Sequence, residues 1–301
     1  MEFLGIDWGS RRFRAWLLDS EGRIIDSVEK DEGLAAVRDR DFRGALEAAC
    51  AAQLSRDPNL PILLSGMVGS RTGWIEAPYC PCPATMDTIA GNAIRFEIGS
   101  HPAAILPGAT SVDASGHADV MRGEEIQVLG VAALLGIQDA TICIPGTHAK
   151  WASLSAGRLA NFETHVTGEM FSLLRGHSLV GQMAEGDDDA PEAFLAGVDH
   201  GLTHAAAHAV FAARADALQG TLAPRSISAF LSGVLIGNEL SARPRSESGE
   251  LVLLATGVLA ERYAKALTHV GEVFRTVDAK EAARAGQVLA ARALWPDRVS
   301  A

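Results

Sequence analysis

Two short stretches of this chain hold the residue types that handle phosphate. Asp7-Trp8-Gly9-Ser10-Arg11 follows the apolar run Phe3 to Ile6, and Gly146-Thr147-His148 follows Thr141 to Ile144. A glycine-bearing turn at the end of a buried strand lets backbone amides face one anion, and an aspartate at the strand end suits hydrated Mg2+. Asp7 is therefore a candidate metal anchor, with an ordinary hairpin whose aspartate caps its own turn as the alternative. Candidate proton acceptors are Asp119, Glu124 and Glu125, just ahead of or at the start of an apolar segment, where a carboxylate also serves to cap a helix. Arg71 offers a planar, bidentate donor to a carboxylate. It sits in a glycine- and proline-broken loop, residues 66–83, with Trp74, Glu76 and Tyr79. A salt bridge to Glu76, and aromatic rings that merely pin the loop, are the structural alternatives there.

The elements that must position these groups follow from hydrophobic periodicity. Phe3 to Ile6, Arg14 to Leu18 and Arg23 to Val28 predict an antiparallel three-stranded meander, and Asp41 to Leu54 a helix. Pro61 to Ser65 and Ala104 to Gly108 read as a short buried strand and a strand end. Asp119 to Glu125 leads into an apolar helix over 126–135. Thr141 to Ile144, the residues to Leu154, and Arg158 to Thr164 repeat the opening pattern of strand, polar turn and strands. Two such meanders, a domain's length apart, predict two pseudo-equivalent domains, 1–139 and 140–301, gripping one polyphosphate from opposite sides.

Further along, Thr167 reads as a helix cap with Glu169 in the first turn, and Pro191 to Leu218 as alanine-rich helix. His200, His204 and His208 fall at i, i+4 and i+8, which predicts one helical stripe rather than a metal site. Phe230 to Leu240 predicts a glycine-containing apolar helix, and Leu251 to Thr256 a strand that delivers Gly257 to the next helix. Residues 272–277 and a helix over 280–294 complete the second domain, with the last helix able to pack back across the hinge. The acidic run Glu185 to Asp189 reads as a solvated loop.

A chain of 301 residues can bury a substantial core in two domains. Hydrophobic residues make up 48%, yet no apolar run approaches the roughly 20 residues of a membrane span. The sequence opens directly on a strand, so no signal peptide is expected. A formal charge of −11 argues against nucleic acid or an anionic membrane as main partner, so an anionic substrate must be met by local arginines. Cys80 and Cys82 are spaced too tightly for the usual zinc pair, and Cys50 and Cys143 lie in apolar contexts. Reduced thiols and a cytoplasmic location follow. Oligomeric state is left open, a homodimer included.

The motifs Gly5 to Ser10 with Arg14-Ala15-Trp16, Leu64 to Ser70, Gly73 to Tyr79, Asp119 to Glu125, Pro145 to Trp151 and Thr167 to Phe171 together resemble the 2-dehydro-3-deoxygalactonokinase family. That family lies within the actin, sugar kinase and Hsp70 ATPase superfamily. The resemblance implies an α/β fold of two ribonuclease H-like (actin-like ATPase) domains, each a mixed sheet with flanking helices, around a central cleft. It implies ATP-dependent phosphorylation of the C6 hydroxyl of 2-dehydro-3-deoxy-D-galactonate in galactonate breakdown, with ATP and Mg2+ as cofactors. Carried over residue by residue, Gly9, Ser10 and Arg11 form the first phosphate loop. Gly146, Thr147 and His148, with Lys150 beside them, form the second. Thr256 and Gly257 seat adenosine, Asp7 holds metal, and Glu124, with Asp119 second, is the base. Arg71, Trp74, Glu76, Tyr79 and Glu169 meet the sugar acid. The rival readings are a kinase for another hexose or sugar acid, and a non-catalytic nucleotide-gated sugar sensor on the same scaffold.

Overall fold

The structure is a computed structural model that describes residues 2–186, 189–243 and 249–296. The chain divides into two compact units, residues 1–139 with 153–162 and 277–301, and residues 140–152 with 163–276. The acidic run predicted as a solvated loop lies partly outside the described residues, at Asp187 and Asp188.

The first unit opens with β1 (Phe3–Trp8), β2 (Phe13–Leu18) and β3 (Ile24–Lys30). Apolar side chains on both faces of β1 and β2 bury them, whereas β3 alternates little and stays largely exposed at the sheet edge. The predicted helix over 41–54 breaks at Cys50 into α1 (Phe42–Ala49) and α2 (Ala51–Leu54). Asp41 caps α1 by accepting from the Gly44 amide at 2.9 Å. Then come β4 (Ile62–Ser65), β5 (Tyr79–Pro81), α3 (Met86–Gly91), β6 (Ile94–Ile98), β7 (His101–Ile105), β8 (Gly108–Val112), β9 (Ala118–Met121) and α4 (Glu124–Leu135). The main sheet has the order β3-β2-β1-β4-β7-β6, and β5, β8 and β9 form a small second sheet. The β1–β2 pair is antiparallel and β1–β4 parallel, so the carboxyl end of β1 emerges beside that of β4. Leu4, Ile6, Trp8, Phe13, Leu46, Leu64 and Ile105 form the core beneath it.

The second unit carries most of a five-stranded sheet, order β12-β11-β10-β13-β14, of which residues 153–162 group with the first unit. Its strands and helices run β10 (Ala140–Ile144), β11 (Ala149–Ser155), β12 (Arg158–His165), α5 (Thr167–His177), α6 (Pro191–Thr203), α7 (Ala206–Ala209), α8 (Ala212–Gln219), α9 (Ile227–Ala242), β13 (Glu250–Leu254), α10 (Gly257–His269) and β14 (Phe274–Val277). β10 and β13 pair in parallel. α6 and α9 cross closely because Gly197 and Gly233 face each other's backbone; a Cβ on Gly197 would lie 3.0 Å from the Val234 amide nitrogen. The last helix, α11 (Ala279–Leu294), groups with the first unit, where it packs on α4 and α3.

The helix expected over 191–218 is three helices. Thr203 Oγ1 bonds the carbonyls of Asp199 and His200, and Asn238 Nδ2 takes the His204 carbonyl at 3.0 Å, so the chain leaves the helical path at His204. The histidines nonetheless gather: the His200 and His204 rings stack at 4.3 Å and His208 lies 5.5 Å from His204. Among the described residues no three His, Cys, Asp or Glu side chains are grouped to hold a metal, and no helix is long and apolar enough to cross a membrane.

Candidate active site

In the first unit, Asp7 stands opposite Arg14 in the β1–β2 register, so their side chains meet on one face, with Asp7 Oδ2 3.1 Å from Arg14 Nη1. Burial pushes the Asp7 carboxyl above its usual range; Arg14 pulls it back down, and the Glu124 charge adds to the rise. Asp7 Oδ1 faces Gly66, where a Cβ would approach it to 3.2 Å. Gly66, at φ +87°, takes a backbone conformation that side chains disfavour. One carboxylate oxygen neutralised by Arg14 and one left to face the Gly66 backbone would suit a hydrated magnesium ion.

After β1 the chain turns tightly, the Gly9 amide donating to the Arg12 carbonyl at 2.9 Å. The Gly9 and Ser10 carbonyls accept from Leu34 and Ala35 at 3.0 and 3.2 Å. Gly33 lies so close beneath that a Cβ there would come within 2.5 Å of the Arg11 nitrogen and the Ser10 carbonyl carbon. Among the described residues the Ser10 and Arg11 amides have no protein partner, and both residues are exposed.

The acidic cluster begins at Gly123, whose φ of +105° lets the chain swing from β9 into α4. Both Glu125 oxygens accept from the Gly123 amide, at 2.9 and 2.8 Å, and Glu124 Oε2 accepts from Arg122 at 3.1 Å. Glu125 is 1% exposed, and burial, with the Glu124 charge second, pushes its carboxyl up to about 8. It is closed to a substrate. Glu124 is only half-buried, and its charge reaches Asp7, where it adds to the rise of that carboxyl. Asp119, expected just ahead of the helix, belongs instead to β9, with its side chain accepting from the Val120 amide at 2.7 Å.

The loop after β4 divides its expected roles. Arg71 pairs with Glu76 at 3.4 Å, both exposed, which is the loop-stabilising alternative. Trp74 packs into the core, its ring stacked on Phe42 at 6.4 Å and edge-on to Phe96 at 5.3 Å, so it pins the loop. Tyr79 is exposed on one side and covered on the other by the Arg122 guanidinium, 4.3 Å from the ring centroid. Arg122, which sequence reasoning passed over, also donates to the Ala77 carbonyl at 2.8 Å, and so ties the loop to the turn before α4.

The second unit repeats the device. The loop after β10 exposes Thr147 and His148, while the Thr147 carbonyl accepts from the Glu169 amide at 2.9 Å. Gly168 backs onto it as Gly33 does in the first unit; a Cβ there would lie 3.0 Å from Thr147 Cα. Glu169, expected at the sugar acid, bonds His148 Nε2 through Oε2 at 2.6 Å. Lys150, expected at phosphate, is 3% exposed and donates to the His148 carbonyl at 3.1 Å, bracing the loop from within. Thr167, expected as the cap of α5, donates instead to the buried Glu239. At the end of β13, Thr256 is the N-cap residue of α10 but makes no side-chain cap bond, and Gly257, at φ +62°, has nothing within 4 Å of where a Cβ would stand.

Gly33 drew no notice in the sequence, and Gly168 and Arg14 stood in motifs without a role of their own. No local sequence signal marks the glycines, but the strand register could have paired Arg14 with Asp7.

The architecture is shared with a Clostridium difficile activator of 2-hydroxyisocaproyl-CoA dehydratase solved with bound ADPNP. That likeness is one of fold, at TM-score 0.53 and 10% identity over 99% of this chain and 97% of that one. Fold and relatives together define a sugar kinase of the actin-like ATPase type. The sequence model of 2-keto-3-deoxy-galactonokinase matches residues 7–290, and the chain belongs to that family. A Rhizobium meliloti (strain 1021) protein named as a probable 2-dehydro-3-deoxygalactonokinase is 38% identical over 98% of both chains. The Escherichia coli (strain K12) 2-dehydro-3-deoxygalactonokinase is 34% identical over 89% of this chain and 90% of its own. A crystal structure of a Sinorhizobium meliloti protein superposes at TM-score 0.90 with 37% identity, covering 98% of this chain and 99% of that one.

Proposed function

We propose that this protein transfers the γ-phosphoryl group of ATP to the C6 hydroxyl of 2-dehydro-3-deoxy-D-galactonate, in galactonate breakdown. The observation that carries the reading is the end-to-end similarity to relatives named for that activity, at 38% identity over 98% of both chains. In this reading the amides of Ser10 and Arg11 in one loop, and of Gly146, Thr147 and His148 in the other, bind phosphate oxygens. Glu169 holds the His148 ring in place, and Thr256 and Gly257 admit the adenosine at the open start of α10. Asp7 would hold Mg2+, which when bound would neutralise charge on the ATP phosphates.

Glu124 accepts the proton of the C6 hydroxyl as that oxygen attacks the γ-phosphorus, whose bond to the β–γ bridging oxygen breaks to release ADP. Its coupling to Asp7 supports it over Asp119. Positioning and charge neutralisation supply most of the rate, with the base contributing about 10² to 10⁴. Arg71 exchanges Glu76 for the substrate carboxylate; an exposed pair is worth about 0 to 1 kcal/mol, so the exchange costs little. Glu76 and Tyr79 line the same loop.

The test is product analysis. Incubating the protein with ATP, Mg2+ and 2-dehydro-3-deoxy-D-galactonate should give a phosphate ester whose phosphorus–carbon coupling by NMR places it on C6. An ester on another carbon, or none, overturns the reading.

A further inference from the structure

We propose that Glu239 is the positioning residue of the nucleotide-binding half of the site, and that it controls affinity for the nucleotide without touching it. The inference rests on the nucleotide roles given above for the second unit. Glu239 lies in α9, far in sequence from every residue given a role, and is 3% exposed. Its Oε1 accepts from Trp151 Nε1 at 2.8 Å, and its Oε2 accepts from the Tyr263 hydroxyl at 2.7 Å and from Thr167 Oγ1. One carboxylate thus joins β11, α10 and α5. Arg243, one turn on in the chain, lies over the Trp151 ring at 5.0 Å and places a positive charge beside the cluster.

Each of the three donors sits next to a piece of the proposed nucleotide site. Thr167 precedes Gly168 and Glu169, whose contacts with Thr147 and His148 set the phosphate loop. Trp151 follows Lys150, whose ammonium holds the His148 carbonyl. Tyr263 is on the helix that Gly257 opens. A buried polar cluster fixes geometry only when every donor in it is satisfied, and here all three share a single acceptor group. An apolar residue at 239 would take away the acceptor shared by the buried Trp151 and Tyr263 and the half-buried Thr167, and release the phosphate loop and α10 from their common anchor. Elements held in the first unit would not move.

Calorimetric titration of ADP, and separately of the sugar acid, into the wild type, Glu239→Leu, Glu239→Gln and Gly168→Ala tests this. Glu239→Leu should weaken ADP binding about tenfold or more, a change of about 1.4 kcal/mol, with sugar-acid affinity within about twofold of wild type. Glu239→Gln, which keeps one acceptor oxygen but sets an NH2 donor where the other stood, should recover part of the loss. Should Glu239→Leu not fold, Tyr263→Phe and Thr167→Val each remove one donor and should weaken ADP selectively. ADP affinity unchanged in these variants, or ADP and sugar acid weakened in parallel, overturns the inference while Gly168→Ala still weakens ADP. If Gly168→Ala leaves ADP binding intact, the phosphate-loop assignment fails, and the inference with it.

Discussion

The buried carboxyl of Glu125 should make the protein less stable as the medium becomes more basic, an effect readable without substrate. Its folded pKa of about 8 stands above the ordinary value of 4.5. Below pH 4.5 the group is protonated in both folded and unfolded chains and contributes no difference. Between pH 4.5 and 8 the unfolded chain releases the proton while the folded protein keeps it, so ionisation favours unfolding more strongly with each step. The slope is about 1.4 kcal/mol per pH unit, or about 3 kcal/mol between pH 5 and pH 7.5. Glu125→Gln carries no titrating group yet keeps one oxygen to accept from the Gly123 amide. Urea unfolding of both proteins at intervals from pH 5 to pH 8 isolates the effect, because contributions from all other groups cancel in the difference. The variant should gain on the wild type by about 3 kcal/mol across that range. Parallel pH profiles for the two proteins would refute the assignment of a neutral, buried Glu125.

Glu124→Gln should lower turnover by about 10² to 10⁴ with ATP affinity retained; unchanged turnover in a steady-state assay would move the base to Asp119. Arg71→Ala should raise KM for the sugar acid by about tenfold or more, the loss of a charged hydrogen bond worth about 1.5 to 3 kcal/mol, and leave KM for ATP alone. Gly33→Ala forces a Cβ against the Ser10 and Arg11 backbone and should weaken ATP binding by calorimetry. Gly91→Ala, whose Cβ would meet nothing within 4 Å, is its silent control.

The two exposed turns after β1 and β10 were legible because each couples a run of buried apolar residues to an abrupt polar, glycine-bearing turn, a contrast that local composition records. The actin-like class and the kinase family followed from those loops with the motifs between them. What stayed hidden was pairing. Arg71 and Glu76 could be read as partners five residues apart, but Lys150 and Glu169 gave no sign that they would serve the His148 loop itself rather than ligands. Glu239 was invisible for the same reason: its donors come from three elements, and nothing local in an apolar helix says where its one acid will point. The small sheet of β5, β8 and β9 escaped too, since Tyr79 to Pro81 is too short to show a period and pairs with a strand almost thirty residues on. His204 misled because periodicity describes a helix that continues, and side-chain bonds to the last carbonyls stopped this one.

Selectivity of this kinase for a 2-keto-3-deoxy sugar acid is read from ADP release across a panel of acceptors. With aldoses, aldonic acids and both epimers of the 2-keto-3-deoxy acid at equal concentration, kcat/KM should be highest for 2-dehydro-3-deoxy-D-galactonate and lower for any acceptor without the carboxylate. Equal or greater kcat/KM for an aldose, or ADP release that no acceptor stimulates, would contradict it.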